Sequence, residues 1–164
     1  EEVKQVAGIP LNRKEFKRAL KTADTPFAHY TWSAGHAVGR FLAGLKEGRI
    51  LGVRCTKCER VLVPPRAFCE ECFVPVDDWV ELSDTGRVNT FAISYLDTMT
   101  RRIKDPIIPA VIEIDGASPD IGIMHLLGEV DPDKVRIGMR VKAVWKPPEE
   151  REGAITDIKY FKPV

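Results

Sequence analysis

The four cysteines of this 164-residue chain are the residues whose type and spacing most directly indicate chemistry. They form two Cys-x-x-Cys pairs, Cys55 with Cys58 and Cys69 with Cys72, and ten residues, 59–68, separate the pairs. Each such turn brings two thiolates onto one ion, and two turns supply the tetrahedron of soft donors found in structural zinc sites. The spacing therefore predicts a zinc ribbon, in which "VLV" followed by "PP" forms a short strand and its return.

The same four cysteines are compatible with three other kinds of chemistry. Iron in a rubredoxin-like site is the competing metal, because four sulfur ligands suit both ions. A disulfide is disfavoured in a reducing compartment, and a redox Cys-x-x-Cys would need one motif at a helix start rather than two facing motifs. Since four protein ligands close the coordination shell, we expect the metal to stabilise the fold, and no thiol is left as a nucleophile.

The composition of the chain limits its partners. Hydrophobic residues make up 44% and charged residues 30%, as in ordinary globular proteins, and the formal net charge is +1. This balance gives no general attraction to nucleic acid or to an anionic membrane surface. No apolar run approaches the ~20 residues that a membrane span requires, and no signal core precedes the first elements. We therefore expect a cytoplasmic protein without a membrane partner.

Two helices are predicted before the first cysteine. Asn12 and Glu15 have the spacing of a capping box, which opens a short helix reaching about Lys21. Ser33 is expected to cap a second helix over residues 34–46, which Gly48 ends. The apolar residues of this second helix recur at helical spacing: Val38, Phe41, Leu42 and Leu45.

The remaining segments read as short strands. Residues 49–54 lead into the ribbon, and further strands are predicted over 79–82, 87–96, 106–115, 121–130, 140–146 and 154–163. Turn residues between them indicate a five-stranded closed barrel of the OB type, with Pro106 and Pro109 at the edge of the third strand or before it. The predicted fold is mainly β: an arm and two helices over 1–48, the zinc ribbon over 49–77 and the OB-fold barrel over 78–164.

A family resemblance rests on motifs that occur in one order. These are "FLAGLKEGRILGVRC", "VLVPPRAFCEEC", "WVELSDTGRVNTF", "PAVIEID", "VDPDKVRIGMRVKAVW" and "YFKPV". They resemble the acyl-CoA-associated OB-fold family with a rubredoxin-like zinc ribbon, whose members were long filed as a domain of unknown function. The match runs from about residue 36 to the C-terminus. One departure is Glu59, which stands where many members have Gly after the second cysteine.

The resemblance implies a partner role. Members of this family are commonly encoded with thiolases or thiolase-like synthases and bind them as a second subunit. Some serve acetoacetyl-CoA chemistry, and others serve the degradation of aromatic or steroid side chains. The expected function is a non-catalytic subunit of a thiolase-type complex that helps bind or hand over an acyl-CoA thioester, while the thiolase supplies the catalytic residues.

Candidate CoA contacts are cations near rigid loops, because CoA carries phosphates that Arg and Lys bind. Those around the ribbon are Arg54, Lys57, Arg60 and Arg66, and those on a barrel loop are Arg101, Arg102 and Lys104.

The histidines, which are His29, His36 and His125, are not expected to be catalytic. Glu113 and Asp115 alternate on a strand and indicate a solvent face rather than an acid–base pair. No catalytic residue is therefore assigned.

Two alternatives come from other functional classes. OB folds and zinc ribbons also bind single-stranded nucleic acid, and Phe91 and Tyr95 could stack bases from one strand face, although the net charge argues against it. A stand-alone acyl-CoA enzyme is the other alternative, which the lack of a nucleophile argues against.

Four apolar residues near the helices are candidates for packing on the partner or on the ribbon: Trp32, Phe41, Leu42 and Leu45.

Overall fold

The computed structural model describes residues 10–21 and 30–164, and the chain divides into two units, Glu1–Ser33 and Ala34–Val164. In the first unit, helix α1 spans Arg13–Ala19. The Asn12 side chain accepts hydrogen bonds from the N–H groups of Lys14 and Glu15, and the Glu15 carboxylate accepts one from the Asn12 N–H, each at 2.9 Å. The predicted capping box is confirmed, and the helix ends two residues before the predicted end.

The second unit begins with helix α2, which spans Gly35–Glu47. Its N-cap is Ala34, which makes no side-chain capping hydrogen bond, so the prediction that Ser33 caps the helix was wrong. Gly48 ends the helix as predicted, because its φ of 81° lies in the left-handed region that glycine adopts without steric cost. Neither helix in the described residues has the length and apolar character that crossing a bilayer requires.

The apolar face of α2 packs into the main core of its own unit. Phe41 and Leu45 are buried there, and Leu42 packs against the same cluster. These three side chains therefore pack inside the fold, in a cluster that also contains Ile50 and Val63, and not on a partner; the sequence had left packing on a partner or on the ribbon open. Trp32 lies in the first unit, and its packing stays a prediction.

A three-stranded sheet carries the cysteine region. Its strands are β1 (Ile50–Arg54), β2 (Val61–Leu62) and β3 (Asp78–Leu82), in the order β2-β1-β3. Strand β3 pairs antiparallel with β1 along its full length. This pairing links the ribbon to β3, the strand that directly precedes the barrel. The domain boundaries predicted at residues 48 and 77 stay predictions.

The barrel contains the rest of the strands. They are β4 (Thr85–Phe91), β5 (Ser94–Leu96), β6 (Arg102–Ile114), β7 (Gly122–Leu127), β8 (Arg140–Trp145) and β9 (Ile158–Pro163). Their order is β4-β8-β9-β7-β6-β5, and β4 also pairs with β6, which closes the sheet. Because β4 and β5 both pair with β6 and are separated only by residues 92–93, they act as two halves of one interrupted strand. The predicted five-stranded OB barrel is confirmed.

Both prolines of the third barrel strand lie inside β6 rather than before it. The carbonyl of Pro109 accepts the N–H of Ala92 at 3.0 Å, in the gap between β4 and β5. The missing N–H of Pro109 therefore faces the point where the neighbouring strand is interrupted, so it breaks little of the ladder. Pro106 lies where β6 pairs with β5 only, since its pairing with β7 starts at Ile108.

The barrel interior is a continuous apolar core, to which α2 contributes Phe41 and Leu45. Inward-facing residues of β6 alternate along the strand, as a barrel wall requires. The fully or almost fully buried members from the barrel strands are Val88, Ile108, Ala110, Ile112, Ile114, Ile123, Leu127, Val141, Ala143, Ile158 and Phe161.

Asp115, at the end of β6, joins three barrel strands. Its carboxylate accepts two hydrogen bonds from the Arg140 guanidinium, at 2.7 and 2.5 Å, and one from the Thr85 hydroxyl. The Arg140 hydrogen bonds, with the Thr85 hydroxyl, lower the pKa of Asp115 to about 2. The sequence predicted that Asp115 lies on a solvent-facing side of the strand. In the structure its carboxylate instead joins the first residue of β4 to the first residue of β8.

Replacing Asp115 with Asn is expected to lower the free energy of unfolding at pH 7 by about 1 kcal/mol, since the side chain is 32% exposed and solvent screens the pair. The pKa is lowered in the folded state, so the stabilisation is complete above the unfolded pKa of 3.8 and is lost as the pH falls towards 2. Urea unfolding at pH 7, 4 and 2.5 measures this. Asp120→Asn, at an exposed carboxylate, is the control and should change little. Equal effects of the two changes would contradict the assignment.

Candidate metal centre

The first Cys-x-x-Cys turn is held by two backbone hydrogen bonds. The Cys55 N–H donates to the Arg60 carbonyl and the Glu59 N–H donates to the Cys55 carbonyl, both at 2.8 Å. Cys55 directly follows β1, and Arg60 directly precedes β2. The hairpin of β1 and β2 therefore fixes the position of the first pair of sulfurs.

The second turn repeats the same pattern fourteen residues later. The Cys69 N–H donates to the Val74 carbonyl and the Phe73 N–H donates to the Cys69 carbonyl, both at 2.9 Å. The residue after each second cysteine has a left-handed backbone, with φ of 63° at Glu59 and 52° at Phe73. This explains why glycine suits that position, and the departure at Glu59 carries backbone strain.

The four sulfurs converge on one point. All four Sγ atoms lie within 4.8 Å of one another, and Sγ of Cys58 is 3.7 Å from Sγ of Cys69. A tetrahedral site with metal–sulfur bonds of about 2.3 Å has sulfur–sulfur edges of about 3.8 Å. Cys55 and Cys69 are fully buried and the other two cysteines are partly buried. The cluster therefore fits one tetrahedral ion, and the four cysteines form a zinc-ribbon-like metal site.

The electrostatics of the cluster favour a cation. Backbone N–H groups, first that of Cys58 and then that of Lys57, lower the pKa of the Cys55 thiol to about 7 although burial opposes them. Burial and the neighbouring thiols raise the pKa of Cys72 to about 12. Four crowded sulfurs cannot all ionise by themselves, whereas a divalent ion stabilises all four thiolates together.

Ion pairs tie the two turns together beside the metal site. Arg60, which follows the first turn, lies 3.1 Å from Glu70 and 2.8 Å from Glu71 of the second turn. Arg66 adds a second cation, 3.0 Å from Glu70. The backbone N–H of Glu70 and these two guanidinium groups lower the pKa of Glu70. This network holds the ribbon in one geometry around the cysteines.

Replacing Glu59 with Gly is expected to raise the free energy of unfolding by about 0.5–1 kcal/mol. The left-handed backbone costs a residue with a Cβ roughly 1–2 kcal/mol, and the extra freedom of glycine in the unfolded chain offsets part of the gain. Urea unfolding of the metal-loaded protein measures the change. Thr56→Gly, at an exposed position of the same turn without a positive φ, is the control and should be destabilising. A loss of stability in both variants would count against strain at Glu59.

The predicted CoA contacts are placed in two groups, and most of them already have carboxylate partners. Arg60 and Arg66 pair within the ribbon as described above, Arg54 lies 3.6 Å from Asp78, and Arg101 lies 2.7 Å from Asp97. Within residues 10–21 and 30–164, Lys57, Arg102 and Lys104 make no ion pair. A phosphate would meet these three lysine and arginine side chains without competition from a carboxylate.

The histidines show no catalytic arrangement in the described part of the chain. His36 lies 3.9 Å from Asp77 and packs its ring edge-on against Trp79. His125 accepts the Leu126 N–H on Nδ1 at 2.8 Å, which leaves Nε2, 3.2 Å from the Ile155 carbonyl, as the donor. His29 lies outside the described residues.

The pair of rings considered for nucleic-acid stacking is not on one strand face. Phe91 ends β4 and packs against the barrel core, whereas Tyr95 lies in β5 beyond the interruption at residues 92–93 and is exposed. The nucleic-acid alternative therefore loses the paired platform on which it depended.

The sequence analysis did not identify two structurally important residues, one in the second cysteine turn and one in the barrel. Phe73 repeats the position of Glu59, so the fourteen-residue offset between the two turns was the signal that could have found it. Asp157 is a fully buried carboxylate in the loop before β9, and no local sequence signal distinguishes it from an exposed aspartate.

Two family models match adjacent parts of the chain. The zinc ribbon model described as "ChsH2, rubredoxin-like zinc ribbon domain" matches residues 42–78, and the model described as "ChsH2, C-terminal OB-fold domain" matches residues 79–146. The matched ranges cover the ribbon with its four cysteines and most of the barrel.

Two named relatives match much of the chain. A DUF35 domain-containing scaffold protein of Methanocaldococcus jannaschii is 30% identical over 118 residues, covering 70% of this chain and 82% of the relative. A probable enoyl-CoA hydratase alpha subunit of Thermomonospora curvata is 28% identical over 100 residues, covering 61% of this chain and only 30% of that relative.

Two solved structures have the same fold. A DUF35-family protein of unknown function from Sulfolobus solfataricus superposes with a TM-score of 0.56 at 31% identity, covering 67% of this chain and 78% of that chain. The structure of an Ltp2–ChsH2(DUF35) aldolase gives a TM-score of 0.58 at 22% identity, covering 81% of this chain and 98% of the matched chain. With its ribbon, its barrel and a 30% identical relative in agreement, the chain belongs to the DUF35 family, with zinc ribbon and OB-fold domains of the ChsH2 type.

Proposed function

We propose that this chain is a non-catalytic subunit of a thiolase-type complex, in which it helps bind or hand over an acyl-CoA thioester. The observation that carries the proposal is the use of the four thiols: every cysteine of the chain lies in the metal cluster, so none remains as an acyl-accepting nucleophile. Because a thiolase transfers the acyl group through a cysteine thiolate, a chain without a free thiol would serve that reaction only beside a partner that supplies the thiolate.

The names of the relatives support a subunit role. Two relatives are called DUF35 domain-containing scaffold proteins, another is called a probable enoyl-CoA hydratase alpha subunit, and one structure of the same fold is that of an Ltp2–ChsH2(DUF35) aldolase. Each name belongs to that relative. Together they support assembly with an enzyme, and the thiolase identity of the partner is our proposal.

For the metal we propose zinc, with iron as the competitor, in a structural role. Four cysteine ligands leave no open coordination position, so the ion supplies folding free energy rather than an activated water. Cys55, Cys58, Cys69 and Cys72 would hold it.

For CoA we propose contacts with the cations of the ribbon and with those near the start of β6, where Arg101 lies in the β5–β6 loop but Arg102 and Lys104 lie in the strand and not on a loop as predicted. Lys57 and Arg102 are best suited, because neither pairs with a carboxylate in the described structure. The other proposed contacts, Arg54, Arg60, Arg66 and Arg101, would have to exchange a carboxylate for a phosphate.

The test is co-purification followed by reconstitution. The tagged chain is isolated from its source cells, associated proteins are identified by mass spectrometry, and a thiolase found in this way is purified separately. Thiolytic cleavage of acetoacetyl-CoA is then measured with the thiolase alone, the chain alone and both. We expect stable association and higher activity with both. Turnover by the chain alone would support the enzyme alternative, and the absence of any association with a thiolase would overturn the proposal.

A further inference from the structure

The outer face of the barrel wall formed by β6 and β7 is apolar where a solvent-facing wall is normally polar. Residues 106–112 of β6, "PIIPAVI", form a continuous apolar run, and "GIMHLL" in β7 is apolar except at His125. Continuous runs are typical of strands that are covered on both faces. The inward residues of these strands fill the barrel core, so the outward residues remain to be explained.

Four outward residues form one patch, which we call the β6–β7 outer face. Pro109 is paired with Leu126 and Val111 with Met124 across the two strands, so the four side chains are direct neighbours. Met124 is 72% exposed, and Leu126 is also exposed. Exposed large apolar side chains gathered in this way mark a binding surface rather than an ordinary scatter.

Two open cavities follow this face. One of about 500 Å³ is lined by Met124 and Leu126 and extends to Ile155, in the loop before β9. The other, of about 260 Å³, shares Pro109 and Met124 with the first and extends to Phe91 at the end of β4. The apolar surface therefore continues across the wall as one trough.

The charged side chains that line the trough are positively charged. Among the residues that the structure describes, no carboxylate lines either cavity, and Lys146 and Lys159 border the larger one. Lys146 Nζ lies 4.0 Å from the buried Asp157 carboxylate, whereas Lys159 makes no ion pair in the described part of the chain. Further along β6, Glu113 is engaged by the Asn89 amide at 2.6 Å. An occupant that fits would have an apolar body and negative charge near Lys159.

We propose that the β6–β7 outer face is the docking surface for the protein partner of this chain, which places apolar side chains on Met124 and Leu126 and a carboxylate near Lys159. This inference rests on the proposed function in taking the partner to be an enzyme subunit. A protein is favoured over a small ligand because pockets usually bury most of a small ligand, while this face is an open wall that leaves Met124 mostly in solvent.

The experiment uses the purified metal-loaded chain and the partner identified by mass spectrometry. Met124→Glu is expected to raise Kd at least about 30-fold, because it places a charge in the apolar centre of the contact. Ile137→Glu is the matched control, since Ile137 is 70% exposed and lies outside both cavities; its Kd should stay as in the wild type. Lys159→Glu should weaken binding at low salt and lose most of this effect at high salt. Metal content and the thermal midpoint verify that each variant is folded.

The outcomes separate this inference from the proposed function. Binding of a thiolase that Met124→Glu leaves unchanged overturns the docking surface and keeps the proposed function. Loss of binding in Met124→Glu with a partner other than a thiolase supports the surface and overturns the proposed function. A chain that binds no protein overturns both. If Met124→Glu instead abolishes binding of dodecanoyl-CoA to the lone chain and leaves the partner bound, the face is a ligand site and the inference is wrong.

Discussion

Replacing Cys69 with Ser is expected to release the metal ion and to unfold the segment 54–72. The metal content should fall from about one ion per chain to near zero, because a serine hydroxyl is not a thiolate ligand at neutral pH. The ribbon has little apolar core of its own: among the described residues, its buried cluster consists of Val53, Leu62 and Val76 with Cys55 and Cys69. A structural zinc site contributes on the order of 10 kcal/mol to a small module, so that cluster cannot replace it.

Two measurements check this prediction. Elemental analysis of freshly purified protein gives the metal content and also separates zinc from iron. Limited trypsin digestion follows Lys57, Arg60 and Arg66, which lie within the segment and should become cleavable in Cys69→Ser. Thr56→Ser is the matched control, because it also leaves a serine in one of the turns but changes no ligand. Survival of both metal content and trypsin resistance in Cys69→Ser would show that the site is misassigned.

The metal site was predictable because its information is local. Two Cys-x-x-Cys pairs separated by ten residues specify four ligands, and the β1–β2 hairpin needed to bring them together is encoded in the residues between them. The capping box at Asn12 and the end of α2 at Gly48 were predictable for the same reason, since each depends on residues within one turn of the chain. The strand pattern likewise indicated the barrel.

Features set by distant contacts were not predictable from the sequence. The pattern placed Pro109 at a strand edge, yet it lies inside β6, because the interruption between β4 and β5 removes the need for its N–H. The carboxylate partners of Arg60 and Arg54 depend on the second turn and on β3. The sequence predicts that several Arg and Lys side chains lie near the ribbon. Which of them form ion pairs with carboxylates can be seen only in the fold.

Asp157 supports the entry of β9 into the barrel, and its environment explains why a charge is buried there. Its carboxylate accepts the N–H groups of Gly153 at 2.8 Å and of Glu152 and Ala154 at 3.1 Å, and it is fully buried. Burial by itself raises the pKa of Asp157, but the three backbone donors and Lys146 outweigh it, so the net pKa is lowered. The stabilisation is therefore present above the unfolded pKa of 3.8 and is lost as the pH falls below it.

Replacing Asp157 with Ala is expected to lower the free energy of unfolding at pH 7 by about 3–5 kcal/mol. Three backbone N–H groups lose their acceptor in a place that water reaches poorly, and each unsatisfied buried donor costs about 1–3 kcal/mol. The loop that they hold connects β8 to β9, and β9 contributes the fully buried Ile158 and Phe161 to the core. A loss of this size is a large fraction of the stability of a typical domain.

Urea unfolding followed by tryptophan fluorescence measures the loss, and Asp131→Ala is the matched control. Asp131 is also a capping carboxylate, but it is exposed and accepts one backbone N–H, that of Asp133 at 3.1 Å. Its removal should cost only about 0.5–1 kcal/mol, because water replaces the lost acceptor. The deleted group is the same in both variants, so the difference reports the burial of Asp157 together with its two additional backbone hydrogen bonds. If Asp157→Ala cost no more than Asp131→Ala, water would have to reach the three N–H groups, and the barrel would be open at the loop where this structure closes it.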